Sequence, residues 1–282
     1  MPGQFKMETK KDLSTVDILR LYEKYKLITP GLTATAQQAI RTRIKTLCAV
    51  IEKEDGRFDI KTVELLLALP YKYSYRHRLA KILIWCARWA VDEGHLERTT
   101  LSRVKLKLPS FEHTKISITE EQLAALINAK ISGPLHNYRN TFIVQCLTGW
   151  AFSDVRQSHN ATYYEAAGRE WIKLSRKKNG KIMICPADPR AVKILEEYGW
   201  RLKVPTNQRY NLYLKEIAAR AGIQIELTSH MARKTFAQHW LNRGASPQLV
   251  AQMLANSERV LMAHYGGLTE QTLDSGLRAL GI

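Results

Sequence analysis

Two side chains that could bind a phosphate stand one helical turn apart in the stretch LTSHMARKTFAQHW. His230 and Arg233 are three residues apart, so a helix presents them on the same face. Phe236 and Trp240 follow at positions that indicate a helix anchored in a core. The pair therefore indicates a binding site for a negatively charged group. The alternative is a solvated basic face, which Lys234 would share.

A third candidate lies in the segment REWIKLSRKKNGKIMICPA, residues 169–187. Two β-rich runs flank Asn179-Gly180, a pair typical of a type I′ turn, in which both central residues have positive φ. We predict a β-hairpin here, with Lys178 presented at the tip of a two-stranded ribbon. A solvated turn lysine is the ordinary alternative.

The chain that must position these residues is strongly basic. Its 282 residues include 43 Lys and Arg against 26 Asp and Glu, a net charge of +17. Such a surface is typical of a protein that binds nucleic acid, because release of counterions drives association. A membrane surface or a ribosome would satisfy the same charge.

Other bulk features narrow the class of protein. We find no apolar run long enough to cross a bilayer and no apolar segment of a secretory signal at the N-terminus. The four cysteines are scattered along the sequence, which argues against a zinc site or a disulfide framework. Their use fits a reducing cytoplasm.

Helical patterns fill the first third of the chain, and basic residues crowd two places in it. Tyrosines interleave with the second group, and no acidic residue occurs between Tyr71 and Val91. We therefore predict a helical DNA-binding domain over residues 12–104, with DNA-facing residues Arg41, Arg43, Lys72, Arg76 and Arg78.

The run 105–116 has no helical period and is predicted to be a basic linker. Its Lys105 and Lys107 are expected to follow a phosphate backbone. A capping box at Thr119 and Gln122 then predicts the first helix of a second domain, residues 117–282.

Three sequence elements occur in one order: Lys178 at the hairpin, the HMAR box with His230 and Arg233, and LANSERVLMAHYGG with Tyr265. In this order the chain resembles the tyrosine recombinases, the phage integrase family of DNA breaking and joining enzymes. HMAR is similar to the family's His-x-x-Arg box, and KNGKIMICP to its hairpin lysine with a proline eight residues later. Tyr265 lies 32 residues after Arg233, where the family has its nucleophile.

The resemblance covers nearly the whole chain and implies a fold that is mainly α with a small β-hairpin or sheet. A helical core-binding domain would precede a mixed α/β catalytic domain. It implies that Tyr265 is the nucleophile, Arg233 the phosphate clamp, His230 a general base or acid, and Lys178 the general acid for the departing 5′ oxygen. The product would be a 3′-phosphotyrosyl link, formed without metal or other cofactor.

The sequence departs from the family in its first arginine, normally found in a motif like Thr-Gly-Leu-Arg. LTGWAFSDV keeps the frame but has Ala151 at the arginine position. Integrases of Bacteroidetes mobile elements also lack this arginine and have another twelve residues upstream, which is Arg139 here. Arg156 is a second candidate for the replacement. The third explanation is impaired cleavage in a protein that still binds DNA.

A second departure is in LANS, where the family has Leu-Gly-His. Ala255 replaces the glycine and Asn256 the histidine. An asparagine can still donate a hydrogen bond to a phosphate oxygen, so we expect Asn256 to belong to the site.

These features together predict a site-specific recombinase that acts in integration, excision or resolution of a mobile element. A catalytically weakened DNA-binding relative is the alternative. The expected partners are double-stranded DNA and three further copies of the chain in a tetramer on DNA. The expected location is the cytoplasm, with no membrane contact. Leu273, Leu277 and Leu280 form an apolar stripe that predicts a C-terminal helix, which would dock on a neighbouring copy or pack on its own domain.

Overall fold

The computed structural model describes residues 13–97, 99–103 and 116–264. Two compact units make up the chain, Met1–Phe111 and Glu112–Ile282. The division falls inside the predicted linker, while the exact limits 12–104, 105–116 and 117–282 stay a prediction. Within the described ranges, every helix is too short or too polar to span a bilayer.

The described part of the first unit is helical. Its first helix begins at a capping box: the Ser14 hydroxyl accepts from the amide of Asp17, and the Asp17 carboxylate accepts from the amide of Ser14. Apolar residues at helical spacing meet in one core, which includes Ile18, Leu47, Leu66 and Leu83. The helices are α1 (Thr15–Leu27), α2 (Ala34–Glu54), α3 (Ile60–Ala68), α4 (Tyr73–Asp92) and α5 (Thr100–Arg103).

The described part of the second unit combines helices with one small sheet, which confirms the predicted fold class. Its first helix has the predicted capping box, in which Thr119 and Gln122 bond each other's backbone amides. The helices are α6 (Glu120–Asn128), α7 (Pro134–Thr148), α8 (Phe152–Val155), α9 (Pro189–Glu197), α10 (Asn207–Arg220), α11 (Ser229–Asn242), α12 (Pro247–Met253) and α13 (Glu258–His264). A 3₁₀ turn, Ser158–Asn160, follows α8.

The sheet has three antiparallel strands in the order β1 (Thr162–Ala166), β2 (Arg169–Ser175) and β3 (Ile182–Pro186). Strand β1 was not predicted, because its TYYEA sequence is mostly exposed and lacks a buried alternation. It joins β2 through Ala167-Gly168, whose φ angles of 53° and 68° are those of a type I′ turn.

The predicted type I′ turn at Asn179-Gly180 is wrong, although the hairpin itself is confirmed. Only Gly180 has a positive φ, 67°. The loop is longer than two residues: the amide of Gly180 donates to the carbonyl of Arg176 at 2.9 Å, and the amide of Arg176 donates to that of Lys181 at 2.8 Å. A single left-handed residue, Gly180, therefore closes the loop, and Asn179 keeps a negative φ.

Helix α7 is the centre of the second unit. Its residues from Arg139 to Thr148 are all buried, because α6, α9, α10 and α11 all pack on it. Polar contacts lie inside this core: the Tyr210 hydroxyl donates to the Gln145 side chain at 2.9 Å, and Gln145 donates to the carbonyl of Trp150 at 3.1 Å. This chain of bonds fixes the segment that follows α7.

Helix α7 ends at Gly149, which has a φ of 72°. A Cβ atom there would lie 2.5 Å from Leu254 Cδ2 and 2.9 Å from Phe236 Cδ1. Both the left-handed backbone and the close approach of α11 and α12 therefore require glycine. The glycine of LTGWAFSDV is therefore required by the fold.

We expect Gly149→Ala to lower the free energy of unfolding much more than Gly222→Ala does. Gly222 has nearly the same φ, 73°, but nothing within 4 Å of the added Cβ. The left-handed backbone costs about 1–2 kcal/mol in both variants. Overpacking adds about 1–3 kcal/mol at Gly149 alone. Urea unfolding of the two variants measures the difference, and equal losses would contradict the close packing.

Candidate active site

Arg233 is the most buried member of the predicted site, with 1% of its surface exposed. Its guanidinium donates to the carbonyl of Gly149 at 2.6 Å and to that of Leu254 at 2.5 Å. The same group lies 3.5 Å from the sulfur of Met183 on β3. Three segments therefore hold one guanidinium, and a solvated basic face is excluded for this residue.

His230 lies one turn before Arg233 and is exposed. The helix start that presents it is fixed by α10. The Ser229 amide donates to Asn211 at 2.8 Å, and the Ser229 hydroxyl donates to Asn207 at 2.9 Å. The first turn of α11 thus presents a histidine to solvent directly above a buried arginine. Partial burial lowers the pKa of the neighbouring Lys234.

The loop that carries Lys178 is tied to the start of α8 by one carboxylate. Asp154 has no exposed surface. Its Oδ1 accepts from the amide of Lys177 at 2.9 Å and its Oδ2 from the amide of Ala151 at 3.1 Å. Gln157 also donates to the carbonyl of Ser175 at the base of the loop. Lys178 is exposed one residue beyond this tie.

Asn256 follows α12 and contacts the same loop. Its Oδ1 accepts from Nη1 of Arg176 at 3.0 Å, and Nη1 also lies 3.3 Å from the carbonyl of Ala255. Ala255 has a φ of 48°, the conformation for which a glycine is suited. The Nδ2 of Asn256 is buried and has no hydrogen-bond partner among the described residues.

Sequence reasoning missed Arg176. No motif marks it, because the contact that brings it to Asn256 spans 80 residues of chain. The only sequence signal is its place two residues before Lys178, in a loop already singled out. Its discovery needed the structure.

The structure does not bring Arg139 beside Arg233. Arg139 donates to the carbonyl of Ala129 at 2.6 Å and to the side chain of Asn140 at 2.8 Å. It lies ten residues before Gly149, which is roughly 15 Å along a helix. Burial lowers the pKa of its guanidinium. These contacts are those of a structural arginine within α7.

Arg156 also has other contacts. Its guanidinium donates to the carbonyl of Pro205 at 2.8 Å and lies 5.3 Å from the ring centre of Phe152. Ala151, at the arginine position of the family motif, is the N-cap of α8 and bonds only through its backbone. The predicted nucleophile Tyr265 and the C-terminal tail lie outside the described residues.

Comparison with known proteins finds one family that this chain resembles. Residues 151–271, which lie within the second unit, match the phage integrase family. It is 33% identical over 101 residues to tyrosine recombinase XerC of Roseiflexus sp. (strain RS-1), over 28% of this chain and 32% of the relative. It is 40% identical over 58 residues to tyrosine recombinase XerD of Shewanella oneidensis, over 21% of this chain and 19% of the relative. The chain thus spans a third or less of the length of these relatives.

Solved structures of the phage integrase family have the same fold. The Tn1549 transposon integrase in complex with circular intermediate DNA superposes with a TM-score of 0.67 at 12% identity, over 93% of this chain and 99% of that one. A lambda integrase tetramer bound to a Holliday junction gives a TM-score of 0.67 at 15% identity, over 92% and 80% of the chains. At these identities the likeness shows the fold.

The predicted DNA-facing residues of the first unit differ in their surroundings. Arg41, Lys72 and Arg78 are exposed, and Arg43 is half-buried. Arg76 is held inside the unit: it donates to the carbonyl of Leu67 at 2.6 Å and lies 5.6 Å from the ring centre of Tyr73. Lys105 and Lys107 lie outside the described residues.

We expect Asp154→Asn to loosen the hairpin loop of this site. An amide nitrogen in place of one carboxylate oxygen would face an N–H group, so one of the two backbone amides would lose its acceptor. The loss should be about 1–3 kcal/mol in the free energy of unfolding. Amide hydrogen exchange at Lys177 or at Ala151 should become faster, whereas Asp59→Asn, a change at a helix cap of the first unit, should leave both unchanged. Unaltered protection at both amides would contradict the tie.

Proposed function

We propose that this protein is a site-specific DNA recombinase that cuts and rejoins DNA through a 3′-phosphotyrosyl intermediate, in integration, excision or resolution of a mobile element. The buried guanidinium of Arg233, held by the carbonyls of Gly149 and Leu254 beneath the exposed His230, supports this proposal most directly. A rigid cation beside a solvent-facing histidine suits a phosphate in a transition state. The match of residues 151–271 to the phage integrase family adds a second, independent support.

In the proposed reaction, the Tyr265 oxygen attacks the scissile phosphorus and the bond to the 5′ oxygen breaks. The tyrosine proton must leave, because a phenol with a pKa of about 10 is a poor nucleophile at neutral pH. His230 assists this proton transfer. Lys178 donates a proton to the departing 5′ oxygen, and Arg233 stabilises charge on the non-bridging oxygens.

The phosphotyrosyl link keeps the energy of the broken phosphodiester. A 5′ hydroxyl of a second strand can therefore attack it, which restores the tyrosine and completes the exchange without ATP. Asn256 enters the proposed site through its buried Nδ2, a donor without an acceptor among the described residues. Arg139 is left out, because its guanidinium is bound to Ala129 and Asn140.

Double-stranded DNA is the proposed partner. The net charge of +17 supports it, as do two integrases of the same fold whose structures were solved in complex with DNA. A lambda integrase tetramer bound to a Holliday junction supports a tetramer of this chain on DNA. Docking of the C-terminal helix on a neighbour remains part of this proposal. A cytoplasmic location is supported by four buried cysteines that are all free thiols.

A catalytically weakened DNA-binding relative is the second candidate. Ala151 favours it, because the loss of one transition-state donor costs roughly 10²- to 10³-fold in rate. DNA affinity cannot separate the two candidates, since both would bind. Covalent capture separates them, because only a recombinase forms a bond to DNA.

We expect the protein to form a covalent adduct with a DNA substrate that carries a nick close to the cleavage site, which traps the intermediate. Tyr265→Phe should abolish the adduct while DNA affinity stays nearly unchanged, because only the hydroxyl is removed. Tyr213→Phe is the matched control and should react normally. Denaturing electrophoresis detects the adduct, and mass spectrometry maps it. An adduct on a different tyrosine would refute the assignment of Tyr265.

We further expect the exposed arginines of the first unit to contribute to the salt dependence of DNA binding. In a plot of log affinity against log salt concentration, replacing both Arg41 and Arg78 by Ala should reduce the magnitude of the slope by about two. Lys53→Ala removes an exposed charge near the other end of α2 and should leave the slope unchanged. An unaltered slope in the double variant would show that this surface does not face DNA.

A further inference from the structure

The proposed cleavage requires more stabilisation of negative charge than Arg233 alone supplies. Negative charge spreads over two non-bridging oxygens in the transition state, whereas both Nη1 and Nη2 of Arg233 already donate to a carbonyl. Ala151 cannot supply a second cation. A second guanidinium must come from elsewhere in the chain if cleavage is efficient.

Arg176 is anchored next to Arg233. Arg233 donates to the carbonyl of Leu254, while Nη1 of Arg176 lies 3.3 Å from the carbonyl of the next residue, Ala255. Consecutive Cα atoms are about 3.8 Å apart. The two guanidinium groups are therefore held by consecutive residues of one segment.

Arg176 also has hydrogen-bond donors without partners among the described residues. Its Nε is buried and has no hydrogen-bond partner among the described residues, and Nη2 makes no hydrogen bond within them. No carboxylate in the described ranges lies within salt-bridge distance of it. A partly buried cation with unused donors is costly unless an anion completes it. Bound phosphate would supply that anion.

The other two arginines lack these properties. Arg139 is bonded through Nε, Nη1 and Nη2, far along α7 from Gly149. Arg156 is directed to the carbonyl of Pro205 and the ring of Phe152. Among the described residues, neither makes a hydrogen bond to the segment 254–256 that holds Arg233 and Arg176.

We propose that Arg176 contacts the scissile phosphate as the second guanidinium of the site and replaces the arginine that is missing at Ala151. It also orients Asn256, because its bond to Oδ1 turns the Nδ2 donor the other way. The hairpin loop thus supplies two cations to the reaction, Arg176 for the charge on the phosphate and Lys178 for the leaving oxygen. This inference rests on the proposed recombinase function.

The test uses the nicked DNA substrate with the full-length chain. Arg176→Gln keeps an amide that can donate to Asn256 but removes the charge, and Arg176→Ala removes both. We expect either change to slow adduct formation roughly 10²- to 10³-fold. Arg139→Gln is the matched control, and its cleavage rate should stay within a few-fold of the unmodified protein.

A second substrate separates contact with the phosphate from a structural role. It carries an uncharged methylphosphonate in place of the scissile phosphate. If Arg176 neutralises charge on that phosphate, the penalty of Arg176→Gln should shrink at least ten-fold on the neutral substrate. A penalty of the same size on both substrates would overturn the proposed contact. Urea unfolding shows whether each variant is folded, and if Arg176→Ala is not, Arg176→Gln and Arg176→Lys decide.

The possible results also separate this inference from the proposed function. If the unmodified chain forms no adduct, the recombinase function itself fails. If the unmodified chain reacts and Arg176→Gln reacts equally fast, the recombinase stands and the assignment of Arg176 is refuted. Loss of reaction in Arg139→Gln alone would return the role to Arg139.

Discussion

The second unit depends on one buried cation. The guanidinium of Arg233 joins the end of α7 to the end of α12 through two carbonyl oxygens and also touches β3. Burial of an arginine is costly unless its donors are satisfied. Each of these contacts therefore stabilises the fold and aims the same group at one place. The same side chain stabilises the fold and is proposed to bind phosphate. A substitution of Arg233 would therefore lower both the stability of the protein and its activity.

Two of the described residues with left-handed backbone lie beside this cation. Gly149 and Ala255 both have positive φ, and each directly borders or supplies a segment that binds Arg233 or Arg176. A left-handed alanine costs about 1–2 kcal/mol relative to an ordinary conformation. The surrounding core, with Phe236 and Leu254 packed against Gly149, holds the chain in this arrangement. Local strain is thereby compensated by packing, as is common at functional sites.

Much of this arrangement could be predicted from the sequence, because it depends on residues that are close together in the chain. The capping box at Thr119, the helix that carries His230 and Arg233, and the hairpin under Lys178 all follow from short-range chemistry. The prediction of the turn type was wrong, because it depends on how the strands pair. The type I′ turn lies at Ala167-Gly168 instead of Asn179-Gly180, because the register of three strands decided the loop lengths.

Long-range contacts explain the remaining differences. Arg139 and Arg76 look available for phosphate in the sequence, yet each donates to a carbonyl oxygen of a neighbouring segment, Ala129 and Leu67. Conversely, nothing in the sequence distinguishes Arg176 from the two lysines that follow it. Only the fold decides which basic residue turns inwards and which stays in water, because helix spacing carries no information on partners distant in the chain.

The bond between Arg176 and Asn256 joins two segments that are 80 residues apart in the sequence. It links the loop of Lys178 to a residue two positions before α13 (Glu258–His264), and His264, the last described residue, directly precedes Tyr265 in the sequence. Under the proposed function, the position of Lys178 therefore depends through one side chain on the segment that leads to Tyr265.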